Sequence, residues 1–325
     1  MSGLGGFLLE SAGRAGFGAG MRSYHHTEFA DVGRLVERKG KQRISVCIPT
    51  LQEEATIEAI VLGIRRPLME EFPLVDEILV VDSGSTDATI ARARSAGAKA
   101  MLSSDIREDL GSHCGKGENL WKALFVAGGD LIVYIDGDIR NFSSRFVTGL
   151  VGPLLTDPGV GYVKAYYQRP LLEPFGNRSA DGGRVSEILV RPMISLFFPE
   201  LTGVVQPLAG EYAARRSLLE TLPFPVGYGV EIAHLIDLAS RGMLLKLAQT
   251  DLDEREHRNQ DNAALGKTSF AILHVMIRRL VAEGKISLHF PLPDLLSQWI
   301  MEGDAPGLSG RIIREIERPP VRAGV

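Results

Sequence analysis

Cysteine is scarce in this chain: Cys47 and Cys114 are the two in 325 residues. Neither has the Cys-x-x-Cys or Cys-His spacing of a zinc site, and a reduced, cytoplasmic setting is expected. Nowhere do eighteen apolar residues follow one another. The nearest approach, 192–210, carries Glu200 together with Pro192, Pro199 and Pro207, so no membrane span is expected. Excess positive charge is also missing. A formal net charge of −4 gives no reason to expect a nucleic-acid partner, although a local basic pocket for a small anion stays open. The first twenty residues are glycine-rich and interrupted by Glu10 and Arg14; they lack the apolar stretch of a signal peptide and read as a mobile tail. What remains is an ordinary globular composition, 45% apolar and 23% charged, long enough for one large domain or two smaller ones.

Regular patterning begins near Arg43. Ile44 to Ile48 reads as a buried strand that stops at Pro49. A helix follows with Ile57, Ile60, Val61 and Ile64 on one stripe and Glu53 and Glu54 in its first turn, where the dipole favours acids. The strand 77–81 leads into Asp82-Ser-Gly-Ser-Thr-Asp87, a run of turn and capping residues. A helix over 87–95, a strand over 99–102, a helix over 117–127 and a strand from Leu131 complete this half. Strands alternating with helices imply an α/β fold, a Rossmann-like, mostly parallel sheet flanked by helices, with ligands bound beyond the carboxyl ends of the strands. Beyond Asn141 the pattern reads as helix 142–155, strand 160–167, polar loop 173–183, helix 184–193, strand 248–252 and helix 263–280. The stretch after Pro291, punctuated by proline and glycine, reads as an arm or partner contact.

The strongest chemical signal is Leu131-Ile-Val-Tyr-Ile-Asp136-Gly-Asp138. In an extended backbone, side chains two apart point the same way, so both acids can reach one hard cation while Gly137 admits a ligand to the main chain. The same three residues also suit an ordinary turn. Pro49-Thr50, Asp82-Ser83 and Asp136-Asp138 all fall at strand ends, and this convergence argues for a nucleotide site. Lys116, between two glycines ahead of a helix, could hold a phosphate together with free amides.

Pro49-Thr-Leu-Gln-Glu-Glu54, Asp82 to Asp87 and the Asp136/Asp138 pair resemble the nucleotide-sugar half of GT-A glycosyltransferases. Gly115-Lys-Gly-Glu118, Gly182-Gly-Arg-Val-Ser-Glu187, Gln206 to Tyr212, Gly227-Tyr-Gly-Val-Glu231 and Glu256-His-Arg-Asn259 resemble the mannosyl-3-phosphoglycerate and glucosyl-3-phosphoglycerate synthases, over roughly 44–262. The resemblance implies a GT-A fold with a mixed α/β acceptor-binding half, assembled as a homodimer. It implies a retaining transfer of a hexose, dependent on Mg²⁺ or Mn²⁺, from a nucleotide-sugar donor to a hydroxyl of 3-phosphoglycerate.

Residue by residue, the resemblance places Pro49, Thr50, Leu51, Glu53 and Ser83 at the nucleoside, and Lys116, Asp136 and Gly137 along the rest of the donor. It places Asp138, His257 and Asp136 on the metal, and Gly183, Arg184, Ser186, Asn259 and Arg255 at the acceptor or a phosphate. Glu231 is implied to bind sugar hydroxyls, and the backbone from Leu208 to Gly210 to line a front-face reaction centre, with Glu211 fixing that loop. His25, His26, His113 and His234 receive no role.

Gln52 and Gly137 depart from the glucosyl pattern, which often has Asn and Ser there, and the carboxyl-terminal third differs as well. These departures unsettle the choice of base and sugar; the chain resembles the mannosyl-forming type more closely, which implies GDP-mannose as donor, with GDP- or UDP-glucose as the alternative. A polyprenyl-phosphate glycosyltransferase and an inactive nucleotide-sugar-binding protein are the rival readings. The expected organisation is a mobile N-terminal tail and lead-in (1–40), a nucleotide-sugar half (41–140), an acceptor half (141–262) and a C-terminal helical segment and arm (263–325).

Overall fold

The computed structural model describes residues 21–168, 171–172, 178–179, 183–256, 262–302 and 305–323. The expected tail over 1–20 and the expected roles of His257 and Asn259 lie outside the described residues.

Short runs rich in Ile, Val, Ala and Tyr form the strands: β1 (Arg22–His25), β2 (Ile44–Thr50), β3 (Glu77–Asp82), β4 (Lys99–Leu102), β5 (Leu131–Tyr134) and β6 (Tyr162–Gln168). A small ladder, β7 (Leu171–Leu172) and β8 (Arg178–Ser179), precedes β9 (Tyr212–Arg215), β10 (Phe224–Pro225) and β11 (Leu247–Glu254). Among the described residues, eight strands join one sheet in the order β1-β11-β6-β9-β5-β2-β3-β4. Every pairing is parallel except those of β9, which runs antiparallel to both β5 and β6. The segments 41–140 and 141–262, expected as separate halves, therefore contribute strands to a single sheet.

Helices α1 (Val32–Lys39), α2 (Ile57–Arg65), α3 (Thr89–Ser95), α4 (Lys116–Val126), α5 (Arg145–Thr156), α6 (Arg191–Phe197), α7 (Arg216–Leu219), α8 (Val230–Ser240) and α9 (Asn262–Ala282) complete the layers. Alternate strand residues supply two cores. Val46, Ile48, Val80 and Val133 pack with α1, α2 and α5 on one face, while Cys47, Leu79, Ile132 and Tyr134 pack with α4, α8 and α9 on the other.

Several expectations are corrected. Residues 22–39, read as a lead-in, supply the edge strand β1, whose Arg22 pairs with Ala248 and His25 with Asp251, and the helix α1, which buries Leu35. Glu53 and Glu54 precede α2 rather than opening it. The Glu53 amide donates to Thr89 Oγ1 at 2.9 Å and the Ala88 amide donates to Glu54 at 3.0 Å, so this segment is tied to the neighbouring loop instead of winding into a helix. β5 ends at Tyr134, which leaves Asp136 to Asp138 in a turn and not on an extended strand.

At the carboxyl end, α9 leads to a hairpin of β12 (Leu295–Glu302) and β13 (Ala305–Ile312), and then to β14 (Glu317–Arg318), which pairs with β10.

Candidate active site

A cleft of about 480 Å³ opens beyond the carboxyl ends of the parallel strands. The ends of β2 and β3 bring Pro49, Thr50, Leu51, Glu53 and Ser83 to it, and the turn after β5 brings Asp136, Gly137 and Asp138. The start of α4 adds Lys116, the first turn of α8 adds Glu231, and Arg255 follows β11. Gly183, Arg184 and Ser186 enter from the segment ahead of α6, and Leu208 from the loop before β9. Because β9 is reversed, its starting end lies at the edge where the parallel strands finish, and the 208–211 loop reaches the cleft for that reason. Gly210 is needed for close approach: a Cβ there would run into the Asp136 carboxylate and the Lys116 ammonium.

The turns are fixed by buried hydrogen bonds. Asp82, fully buried, accepts from Thr50 Oγ1 (2.6 Å), from the amides of Gly84 (2.9 Å) and Ser85 (2.6 Å), and from Ser85 Oγ (2.7 Å). Ser83 Oγ donates to Asn119 Oδ1 at 3.0 Å, and the Asn119 amide nitrogen donates to the Val81 carbonyl at 2.9 Å. Gln52 Nε2 donates to Thr86 Oγ1 at 2.8 Å, so this residue, read from sequence as bearing on donor choice, ties two loops together.

The free amides expected beside Lys116 are not free. The Gly117 and Glu118 amides donate to the carbonyls of Gly227 (3.3 Å) and Val226 (3.0 Å). The flanking glycines serve that contact, since a Cβ on Gly115 or Gly117 would strike the backbone of Val226 or Pro225. Lys116 is what remains for an anion. Its ammonium lies 2.5 Å from Asp136 and 2.7 Å from Glu231. Burial opposes its charge, but the two carboxylates outweigh burial and raise it above the ordinary lysine value.

Asp136 and Asp138 are drawn together by Arg255, whose Nη2 donates to Asp136 at 3.1 Å and to Asp138 at 2.7 Å while Nε donates to Glu211 at 2.9 Å. Arg255 thus acts on the acids themselves, where an acceptor or phosphate contact was expected. Glu211 is fully buried and also accepts from the Tyr167 hydroxyl at 2.5 Å. Burial pushes its carboxyl above the ordinary range against the pull of Arg255. Arg184 donates to Asn262 Oδ1 at 2.8 Å, which joins the 183–186 segment to α9.

Sequence reading missed several neighbours of the cleft. Asn119, Tyr228, Cys114 and, from α9, Leu265 and Thr268 line it. Ile272 of α9 lines it too. Lys164 of β6 is buried, donates to the Ala209 carbonyl, and is pushed down to about 8 by burial. Its one sequence signal is a lysine inside an apolar strand.

The donor set suits a hard divalent ion. Of the residues lining the cleft, Glu53, Asp136, Asp138 and Glu231 bring carboxylates and Lys116, Arg184 and Arg255 bring cations, so acids outnumber bases around the oxygen ligands.

A mostly parallel sheet with an acid-bearing cleft beyond its carboxyl edge is the GT-A architecture, and the chain is a glycosyltransferase: residues 45–207 match the profile of glycosyl transferase family 2. A glucosyl-3-phosphoglycerate synthase from Petrotoga mobilis is 47% identical over 302 residues, spanning 92% of this chain and 93% of that protein. The Mycobacterium tuberculosis enzyme of the same name is 44% identical over 251 residues, 76% of each chain. Its crystal structure with Mn²⁺, uridine diphosphate and phosphoglyceric acid matches with a TM-score of 0.82 at 37% identity, covering 94% of this chain and 99% of that one. The chain belongs to the glucosyl-3-phosphoglycerate synthase family. The leaning toward GDP-mannose finds no support among these relatives, which are named as glucosyl enzymes and solved with UDP or UDP-glucose. No helix among the described residues is long and apolar enough to cross a membrane.

Proposed function

We propose that this chain transfers glucose from UDP-glucose to 3-phosphoglycerate, forming glucosyl-3-phosphoglycerate with retention of anomeric configuration. One observation carries the reading: a single cleft gathers the nucleoside-side residues Pro49, Thr50 and Ser83, the acids Asp136 and Asp138, and the acceptor-side loop of Gly183, Arg184 and Ser186. Relatives solved with Mn²⁺, UDP-glucose and phosphoglyceric acid, or with Mg²⁺ and UDP, support the donor, the acceptor and the metal.

Asp136 and Asp138, with His257 as the sequence resemblance implies, would hold the Mg²⁺ or Mn²⁺, which would supply charge neutralisation for the departing diphosphate. Arg255 bridges the two aspartates and fixes their spacing. Lys116 pairs with Asp136 and Glu231 and turns to the diphosphate when the donor binds, which frees Glu231 to accept hydrogen bonds from sugar hydroxyls. The Arg184 guanidinium binds the acceptor's anionic groups. A front-face route is supported by Glu211, which is fully buried, accepts from Tyr167 and Arg255 and does not line the cleft. The leaving phosphate oxygen then takes the acceptor's proton, and the protein contributes alignment and electrostatics.

The chain assembles as a homodimer in this reading. The β12–β13 hairpin supports it, with Leu295, Trp299, Met301, Leu308 and Ile312 all exposed.

The deciding experiment incubates purified protein with Mn²⁺ or Mg²⁺, 3-phosphoglycerate and, separately, UDP-glucose, GDP-glucose and GDP-mannose. Phosphoglycerate-dependent product with UDP-glucose as the fastest donor is expected. Donor consumed equally with and without phosphoglycerate defeats the acceptor assignment.

A further inference from the structure

Three ligand-bearing side chains meet at the far edge of the sheet, on the strands β1 and β11. β1 ends on His25, and the chain turns at once into a short helical turn that begins with His26. Across from them β11 breaks register between Asp251 and Glu254, and Asp253 takes a left-handed backbone with φ of 65°. An irregularity of this kind re-aims a side chain. Here the Asp253 carboxylate is set against both imidazoles, with Oδ1 3.1 Å from His25 Nε2 and Oδ2 2.5 Å from His26 Nε2.

One ligand atom from each of the three residues lies within 4.8 Å of the others, and the two rings are 4.6 Å apart. We propose that His25, His26 and Asp253 form a second cation site, specific for Zn²⁺ or a similar borderline divalent ion, that clamps β1 to β11. Two imidazole nitrogens with one carboxylate oxygen suit Zn²⁺ better than the hard ions that an all-oxygen site prefers. Asp253 is half exposed, so water has access to the remaining coordination position.

The surroundings hold the ligands in place. His25 Nδ1 lies 2.7 Å from Thr27 Oγ1 and accepts from the Thr27 amide at 3.4 Å, contacts that fix the ring with Nε2 turned toward Asp253. Beneath His26, α5 presents Gly149, where a Cβ would come within 3.2 Å of the His26 Cβ. Arg145 of α5 secures the irregular strand through the carbonyls of Leu252 and Glu254, both at 3.0 Å. Glu28 accepts from the His25 amide at 2.8 Å and Asp251 accepts from the Asp253 amide at 2.9 Å, and both add negative charge favourable to a cation. None of these residues lines the active-site cleft, and the proposal does not depend on which sugar is transferred.

The test titrates Zn²⁺ alone into the full chain by calorimetry, in the unaltered protein and in Asp253→Asn, His26→Ala and Asp138→Asn. Asn at 253 keeps the shape and tolerates the left-handed backbone, so that variant decides the matter even where His26→Ala disturbs folding. Affinity for one zinc equivalent is expected to fall at least about 10-fold in Asp253→Asn and His26→Ala and to persist in Asp138→Asn. Zn²⁺ is expected to raise the thermal midpoint of the unaltered protein and not that of Asp253→Asn. Zinc binding unchanged in Asp253→Asn, lost in Asp138→Asn, or absent from the unaltered protein overturns the proposal.

Discussion

Arg255→Ala removes a guanidinium that touches three acids. Arg255 is 3% exposed and Glu211 is 0% exposed, so the 2.9 Å contact between them is a buried ion pair. Removing one member of such a pair costs about 3–5 kcal/mol, because the other charge stays buried without its partner. The contacts to Asp136 and Asp138 involve carboxylates with 21% and 32% side-chain exposure and add only about 0–1 kcal/mol each.

Proton uptake limits the loss. Burial already raises the Glu211 carboxyl, and removing Arg255 raises it further, so Glu211 takes up a proton when the variant folds. The folded variant then binds more protons than the unfolded chain, and its stability falls as pH rises, by about 1.4 kcal/mol per unit above the ordinary glutamate value. Urea unfolding followed by circular dichroism should show a loss of about 3–5 kcal/mol at pH 7.5. The loss should shrink to about 1–2 kcal/mol near pH 5, where glutamate is close to protonation in both states. The double variant Arg255→Met/Glu211→Gln should regain more than half of it, since no buried charge is stranded. A loss under about 1 kcal/mol at pH 7.5, or an equal loss at both pH values, refutes this account.

Chelation should abolish transfer and added Mn²⁺ or Mg²⁺ restore it, with Asp138→Asn slowing transfer at least about 100-fold; activity indifferent to EDTA would remove the metal from the mechanism. Gly117→Ala should destabilise the protein by about 1–3 kcal/mol in a thermal melt despite alanine's better helix propensity, because the Cβ meets the Pro225 carbonyl; an unchanged melt contradicts that packing. His234, buried against Phe224 and pushed down to about 3 by burial, stays neutral in the fold while the unfolded imidazole protonates near its usual value. Stability should therefore fall as pH drops from about 6.5 toward 3, and His234→Leu should flatten that slope by up to about 1.4 kcal/mol per unit; identical pH profiles would exclude His234 as the cause. Trp299→Glu should convert the proposed dimer to a monomer in sedimentation, and a persisting dimer would move the interface away from the hairpin.

The repeated strands and the stripe of Ile57, Ile60, Val61 and Ile64 were legible because hydrophobic period is a local property: each strand or helix displays it within a few residues. The cleft residues at the ends of β2 and β3 were legible for a related reason, since a parallel alternating fold gathers strand ends at one edge whatever the details. Donor choice was not legible in Gln52, whose side chain serves loop bonding. The tertiary structure alone decided the reversal of β9, which places 208–211 at the cleft, and the contact of Arg255 with Asp136 across 119 residues of chain. It alone capped the amides of α4 with the 226–227 backbone and set Asp253 against His25 and His26. These are meetings of residues far apart in sequence, made by sheet order and helix packing, and a side chain has no local pattern that announces its distant partner.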